Sequence, residues 1–173
     1  GLLPKAHETA KFGFDPEPSE SEHCVSDSSP GERLRGLSSL VGNTPLLAIE
    51  CEYRGARRVV PAKAEHLNLW GSIKDRMAMH ILRQGYASGA LRERALIIEA
   101  TSGNTGIAFA SIGRALGHSV TIFMPAWMSA ERINLLRSLG AGIVLVSCEE
   151  GGFLGSIARA EELARVTPGA FLP

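Results

Sequence analysis

Ala95-Leu96-Ile97-Ile98-Glu99-Ala100-Thr101-Ser102-Gly103-Asn104-Thr105-Gly106 decides how the rest of the chain is read. Its first four residues form an apolar run of the length of a buried strand, and Ile107, Ala110, Ser111 and Arg114 continue it with helical spacing. A strand that feeds a helix through a turn of small residues is one βα unit, and βα units build parallel sheets. Working outward, strands are expected near residues 46–49, 58–64, 95–99, 120–124 and 143–147, and helices at 73–88, 104–116, 130–139 and 153–166. The last four strands and four helices alternate, so the expected class is α/β: an open, mostly parallel sheet with helices on both faces. Gly89, Gly117, Gly140 and Gly169 stand where each helix needs a left-handed stop. Pro61 has no ladder donor, which places its strand at an edge or a bulge.

Residues 1–35 mix Pro, Ser, Glu and Asp without apolar periodicity, so a poorly ordered arm is expected there and a folded part over 36–173. A length of 173 residues with 45% hydrophobic content suits a single core. Lysine plus arginine equals aspartate plus glutamate, 18 against 18, so no overall field favours nucleic acid or an anionic membrane. Cys24, Cys51 and Cys148 lie far apart without metal-ligand spacing, which argues against a disulfide framework and a zinc site. No apolar run approaches the ~20 residues that span a bilayer, and no signal-peptide pattern opens the chain. The expectation is a soluble cytoplasmic protein with no metal, no nucleic-acid partner and no membrane partner.

In open parallel sheets ligands gather at the carboxyl ends of the strands. Two loops there carry chemistry. Ser72-Ile73-Lys74-Asp75 reads as a capped helix start, with Ser72 as N-cap and Asp75 completing an S-x-x-D box. Lys74 then falls in the first helical turn, where the positive end of the macrodipole disfavours an ammonium. Burial acts in the same direction, and an unprotonated amine is what attacks a carbonyl. Alone, a first-turn lysine is more often a solvated surface group. The turn at residues 101–106 presents backbone N–H groups, hydroxyls and the Asn104 carboxamide, a combination suited to an anion such as a carboxylate. Its plainer alternative is a tight βα turn whose glycines serve geometry only.

Taken together, six stretches resemble the cysteine synthase and cystathionine β-synthase family of fold-type II pyridoxal-phosphate enzymes, with the tryptophan synthase β-subunit-like fold. They are Gly42-Asn43-Thr44-Pro45-Leu46, Ala62-Lys63-Ala64-Glu65, Gly71-Ser72-Ile73-Lys74-Asp75-Arg76, Glu99 with residues 101–106, Met124-Pro125 with Met128-Ser129-Ala130-Glu131-Arg132, and Gly151-Gly152-Phe153-Leu154-Gly155. The resemblance implies pyridoxal 5′-phosphate as cofactor, Lys74 as its Schiff-base lysine and catalytic proton carrier, and Asn104 at the cofactor's ring oxygen. Thr101, Ser102, Gly103, Asn104 and Thr105 are implied to bind the substrate carboxylate. Residues of about 100–140 correspond to a mobile lid subdomain, and a homodimer is implied for the full-length form. The implied reaction is β-replacement on an O-activated serine, such as O-acetylserine, by sulfide to give cysteine. Alternatives are a cystathionine β-synthase-like condensation, a serine/threonine dehydratase, or a noncatalytic remnant.

Leu69 and Trp70 stand where the family has a proline and a small residue, and Ala100 where it has a proline, so Trp70 narrows or reshapes the pocket beside the lysine. The family's Gly/Thr-rich phosphate loop and the hydroxyl residue facing the pyridine nitrogen are not found. The chain is therefore expected to be truncated, without the C-terminal part. His23 with Cys24, His66 and the Gly151-Gly152 turn are weaker candidates, read respectively as a solvated tail pair, a surface loop histidine and a helix-opening turn.

Overall fold

The computed structural model describes residues 28–173; the greater part of the expected arm, including His23 and Cys24, lies outside the described residues. The last stretch of that arm is helical: α1 spans Pro30–Ser38. Ser29 Oγ accepts the Glu32 N–H at 3.3 Å while the Glu32 carboxylate accepts the Ser29 N–H at 2.9 Å, a reciprocal capping box with proline at the first helical position. The S-P-G-E pattern was a start signal hidden in a Pro- and Ser-rich composition.

Strand β1 (Leu46–Tyr53) pairs antiparallel with β2 (Ala56–Lys63), from Leu46 opposite Lys63 to Tyr53 opposite Ala56. This corrects the expectation that the second strand opens a run of parallel units. Arg54 and Gly55 both take positive φ, 52° and 74°, the geometry of a two-residue hairpin turn. So short a link cannot make the crossover that parallel pairing needs. Each strand of a two-stranded ribbon has an open edge, which accommodates Pro61.

The parallel sheet consists of β3 (Ile97–Ala100), β4 (Val120–Pro125) and β5 (Gly142–Val146), in that order. Between and after them run α3 (Asn104–Ala115), α4 (Ala130–Ser138) and α5 (Gly152–Val166), while α2 (Lys74–Ser88) precedes β3. The tail after α5 returns to the sheet, where the Phe171 N–H donates to Leu96 O at 2.8 Å and Ile98 N–H donates to Phe171 O at 2.9 Å.

Alternation along the strands sends Ile97, Val120, Ile122 and Met124 to one face, where Ala78, Met79 and Leu82 of α2, Phe109 and Ile112 of α3 and Leu136 of α4 cover them. Ile98, Phe123 and Val146 face the other way onto Ala160 of α5. Helices therefore cover both faces of a parallel sheet, as the periodicity predicts. Each such Ile, Leu or Phe, removed wholly from water, contributes roughly 1.5–3 kcal/mol. Gly113 lets α3 lie close to the sheet, since a Cβ there would come 2.9 Å from Val120 and 3.0 Å from Ile97.

In α4 Ile133 and Leu136 turn inward and Leu135 outward, and Leu139, just past its end, is partly buried. One detail departs from expectation. Helix α5 ends at Val166 with Thr167 in extended conformation, so Gly169 serves the turn after the helix, whereas Gly89, Gly117 and Gly140 are the left-handed stops expected.

Candidate active site

Two helices that pack against each other, α2 and α3, set the site. Near the end of α2 the Tyr86 hydroxyl meets Nε2 of His118, just past the end of α3, at 2.5 Å. With their carboxyl ends joined, helices of 15 and 12 residues, about 22 and 18 Å long, open at the same end of the sheet. That end is the carboxyl end, because α3 leaves directly from β3. Lys74 is the first residue of α2 and Asn104 the first of α3, so both expected residues lie at one mouth.

Lys74 is half-buried, and its amine has no hydrogen-bond or ion-pair partner among the described residues. The expected capping box is not formed. Ile73 occupies the N-cap position, and Ser72 Oγ accepts the Lys74 N–H at 3.2 Å instead of bonding deeper in the turn. The Asp75 carboxylate reaches past Ser72 to the Trp70 N–H at 2.7 Å. The reason is burial: Asp75 is fully buried, so its side chain folds back beneath the turn, and Oδ1 has no hydrogen-bond partner among the described residues. Desolvation raises its pKa, with the N–H groups of Trp70 and Ser72 opposing.

Around this turn lies a polar clamp with no counterpart among the roles read from the sequence. Arg76 grips Glu65 in a two-pronged pair, Nε to Oε2 at 2.7 Å and Nη2 to Oε1 at 3.0 Å. Arg76 Nη2 also donates to Thr44 Oγ1 at 2.9 Å, and Thr44 Oγ1 donates to Glu65 Oε1 at 2.9 Å. Asn68 completes it, donating to Glu65 Oε2 at 2.7 Å and accepting the Gly42 N–H at 2.8 Å. Three turns, at residues 42–44, 65–68 and 70–75, are thereby fixed around the root of Lys74. The Arg76 hydrogen bonds hold the Glu65 carboxyl at a pKa of about 2. His66 is exposed in a 3₁₀ turn, Glu65–Leu67.

The second loop begins with Thr101, buried, whose N–H donates to Phe123 O at 3.0 Å and whose Oγ1 accepts the Gly103 N–H at 3.3 Å. The N–H groups of Ser102, Asn104 and Thr105 donate to no acceptor among the described residues, and no side chain caps α3. Glu99 stands just before this loop, its carboxyl pushed up to about 7 by burial.

Residues 37–173 match the family described as pyridoxal-phosphate dependent enzymes. The chain belongs to that family. A probable cysteine synthase of Bacillus subtilis is 40% identical over 140 residues, covering 81% of this chain and 45% of its own length. A hydrogen sulfide-producing enzyme of Fusobacterium nucleatum superposes with a TM-score of 0.80 at 50% identity, covering 83% of this chain and 43% of that one. An O-acetylserine dependent cystathionine β-synthase of Helicobacter pylori gives 0.70 at 32% identity over 79% and 45%. The chain thus spans about half the length of the relatives it matches. The family resemblance read from the six motifs is borne out.

The donor set fits the family's cofactor. A lysine amine without a competing acceptor suits its aldehyde, and the Asn104 carboxamide and unengaged N–H groups suit oxygen anions beside it. The Gly151-Gly152 turn opens α5 as expected, with Gly151 as N-cap, and a Cβ at Gly152 would come 2.5 Å from the half-exposed Trp127 ring. Among the described residues no cluster of His, Cys, Asp or Glu could hold a metal, Cys51 and Cys148 are free and exposed, and no helix is long and apolar enough to cross a membrane.

Proposed function

We propose that the full-length protein catalyses β-replacement on an O-activated serine, with sulfide as nucleophile and cysteine as product. The reading is carried by one observation: the Lys74 amine opens α2 at the same end of the sheet as the N–H-rich turn that opens α3. Bound pyridoxal phosphate supplies the electron sink for a carbanion at Cα. Lys74 would hold the cofactor's aldehyde carbon until the substrate amine takes its place there, and the Lys74 amine so released would remove the Cα proton and return it at the end of the cycle. Residues Thr101, Ser102, Gly103, Asn104 and Thr105 hold the substrate carboxylate, which keeps the Cα–H bond in reach of Lys74. Asn104 also takes the ring oxygen of the cofactor. The Cβ–O bond breaks with loss of the activating group, and a Cβ–S bond forms. Residues of about 100–140 move as a lid, and the enzyme works as a cytoplasmic homodimer.

Borohydride reduction of the cofactor-loaded full-length protein, followed by peptide mapping, tests this. The label is expected on Lys74, and Lys74→Ala is expected to lose it together with a factor of ~10³ or more in turnover. A label on another side chain overturns the reading. Assays with O-acetylserine, O-phosphoserine and serine, each with sulfide and with homocysteine, fix the substrates.

A second reading is favoured by the half-identical hydrogen sulfide-producing enzyme. The same groups would then act on cysteine, with the Cβ–S bond breaking and sulfide leaving. Sulfide release from cysteine alone, faster than cysteine formation from any activated serine, would favour it.

A further inference from the structure

We propose that Arg132 positions the carboxylate-binding turn, holding the Ser102–Gly103 peptide so that its carbonyl cannot oppose an incoming carboxylate. This rests on the role proposed above for residues 101–105. Arg132 Nη1 donates to Ser102 O at 2.7 Å across 30 residues of sequence. The Arg132 backbone N–H is itself tied to Ser129 O at 3.1 Å in the first turn of α4, and its neighbours Ile133 and Leu136 are buried in the core. The guanidinium is therefore presented from an anchored helix. It is half-buried, and among the described residues no carboxylate pairs with it.

A peptide unit is planar, so its carbonyl and N–H turn together. Both ends of the 102–103 unit are engaged, the carbonyl by Arg132 and the Gly103 N–H by Thr101 Oγ1. Thr101 is in turn fixed to β4 through Phe123 O. With that unit fixed at both ends, the N–H groups of Ser102, Asn104 and Thr105 remain unengaged among the described residues. Without Arg132 only the 3.3 Å bond from the Gly103 N–H to Thr101 Oγ1 restrains the unit, and the Ser102 carbonyl gains freedom to swing toward the turn, where its negative end repels a carboxylate. The unneutralised guanidinium adds attraction for the same anion.

The test compares serine with ethanolamine, which keeps the amine and hydroxyl but lacks the carboxylate. Both are titrated into cofactor-loaded full-length protein and followed by the change in cofactor absorbance. Arg132→Met is expected to weaken serine about tenfold or more, the loss of a charge-assisted hydrogen bond, while ethanolamine stays within about twofold. Arg132→Lys should recover part of the serine affinity and, if the methionine variant does not fold, should itself weaken serine more than ethanolamine. Equal weakening of both ligands would assign Arg132 to fold maintenance alone and overturn the proposal, as would unchanged serine affinity. A parent protein that responds to ethanolamine and not to serine, or to neither, would instead overturn the function proposed for the turn, and this inference with it.

Discussion

Tyr86 Oη lies 2.5 Å from Nε2 of His118, and His118 Nδ1 lies 2.9 Å from Ala95 O. The carbonyl can only accept, so Nδ1 carries the proton and Nε2 receives the Tyr86 hydroxyl. One fully buried imidazole thus joins the carboxyl ends of the two site-bearing helices, α2 and α3, to the segment leading into β3.

Burial depresses the His118 pKa below its ordinary 6.5, with Arg33 acting the same way and the Ala95 carbonyl and Glu93 opposing. The unfolded chain therefore binds more protons just below that value, and stability from neutral His118 is complete above it and lost as pH falls through it. Thermal unfolding followed from about pH 8 to about pH 5 should show the decline, and His118→Gln should flatten it. Tyr86→Phe leaves a buried acceptor unpaired and is expected to cost about 1–3 kcal/mol in denaturant unfolding at neutral pH.

Glu65 behaves in the opposite chemical sense with the same direction in pH. Its folded pKa of about 2 lies below the ordinary 4.5 because Arg76 holds the ionised form. Stability from the clamp is present above 4.5 and lost as pH falls toward 2. Glu65→Gln should lower the unfolding midpoint at neutral pH and shrink the acid-induced loss over that window. An unchanged acid profile would show that the clamp contributes nothing.

Glu99 has the reverse dependence. Burial raises its carboxyl to about 7, so the folded state keeps a proton that the unfolded chain has already released between 4.5 and 7. Its contribution is complete below 4.5 and lost as pH rises through 7. Glu99→Gln is expected to raise the unfolding midpoint at about pH 8 and to change it little at about pH 4.

Gly152 combines a left-handed backbone, φ 57°, with the Trp127 ring 2.5 Å from where a Cβ would stand. Gly152→Ala should destabilise by about 2–3 kcal/mol, from backbone strain plus displacement of the indole. In the Trp127→Ala background the same change should cost only about 1 kcal/mol, the backbone part. Equal costs in both backgrounds would show that the indole does not define the position.

Local chemistry alone determined the α/β class, the three βα units from Ile97 to Val166, the first-turn place of Lys74 and the small-residue turn at 101–106, because periodicity, glycine stops and helix starts act over a few residues. The Arg54–Gly55 hairpin and the Ser29–Glu32 box were equally local signals, obscured by a composition that suggested other things. Tertiary structure alone decided that Arg76 meets Glu65 and Thr44, that Asp75 turns inward to Trp70, that His118 joins Tyr86 to Ala95, and that Arg132 reaches Ser102. Most of these pairs are far apart in sequence, and which side chains meet depends on how helices pack on the sheet, a property of the whole core that no single segment encodes.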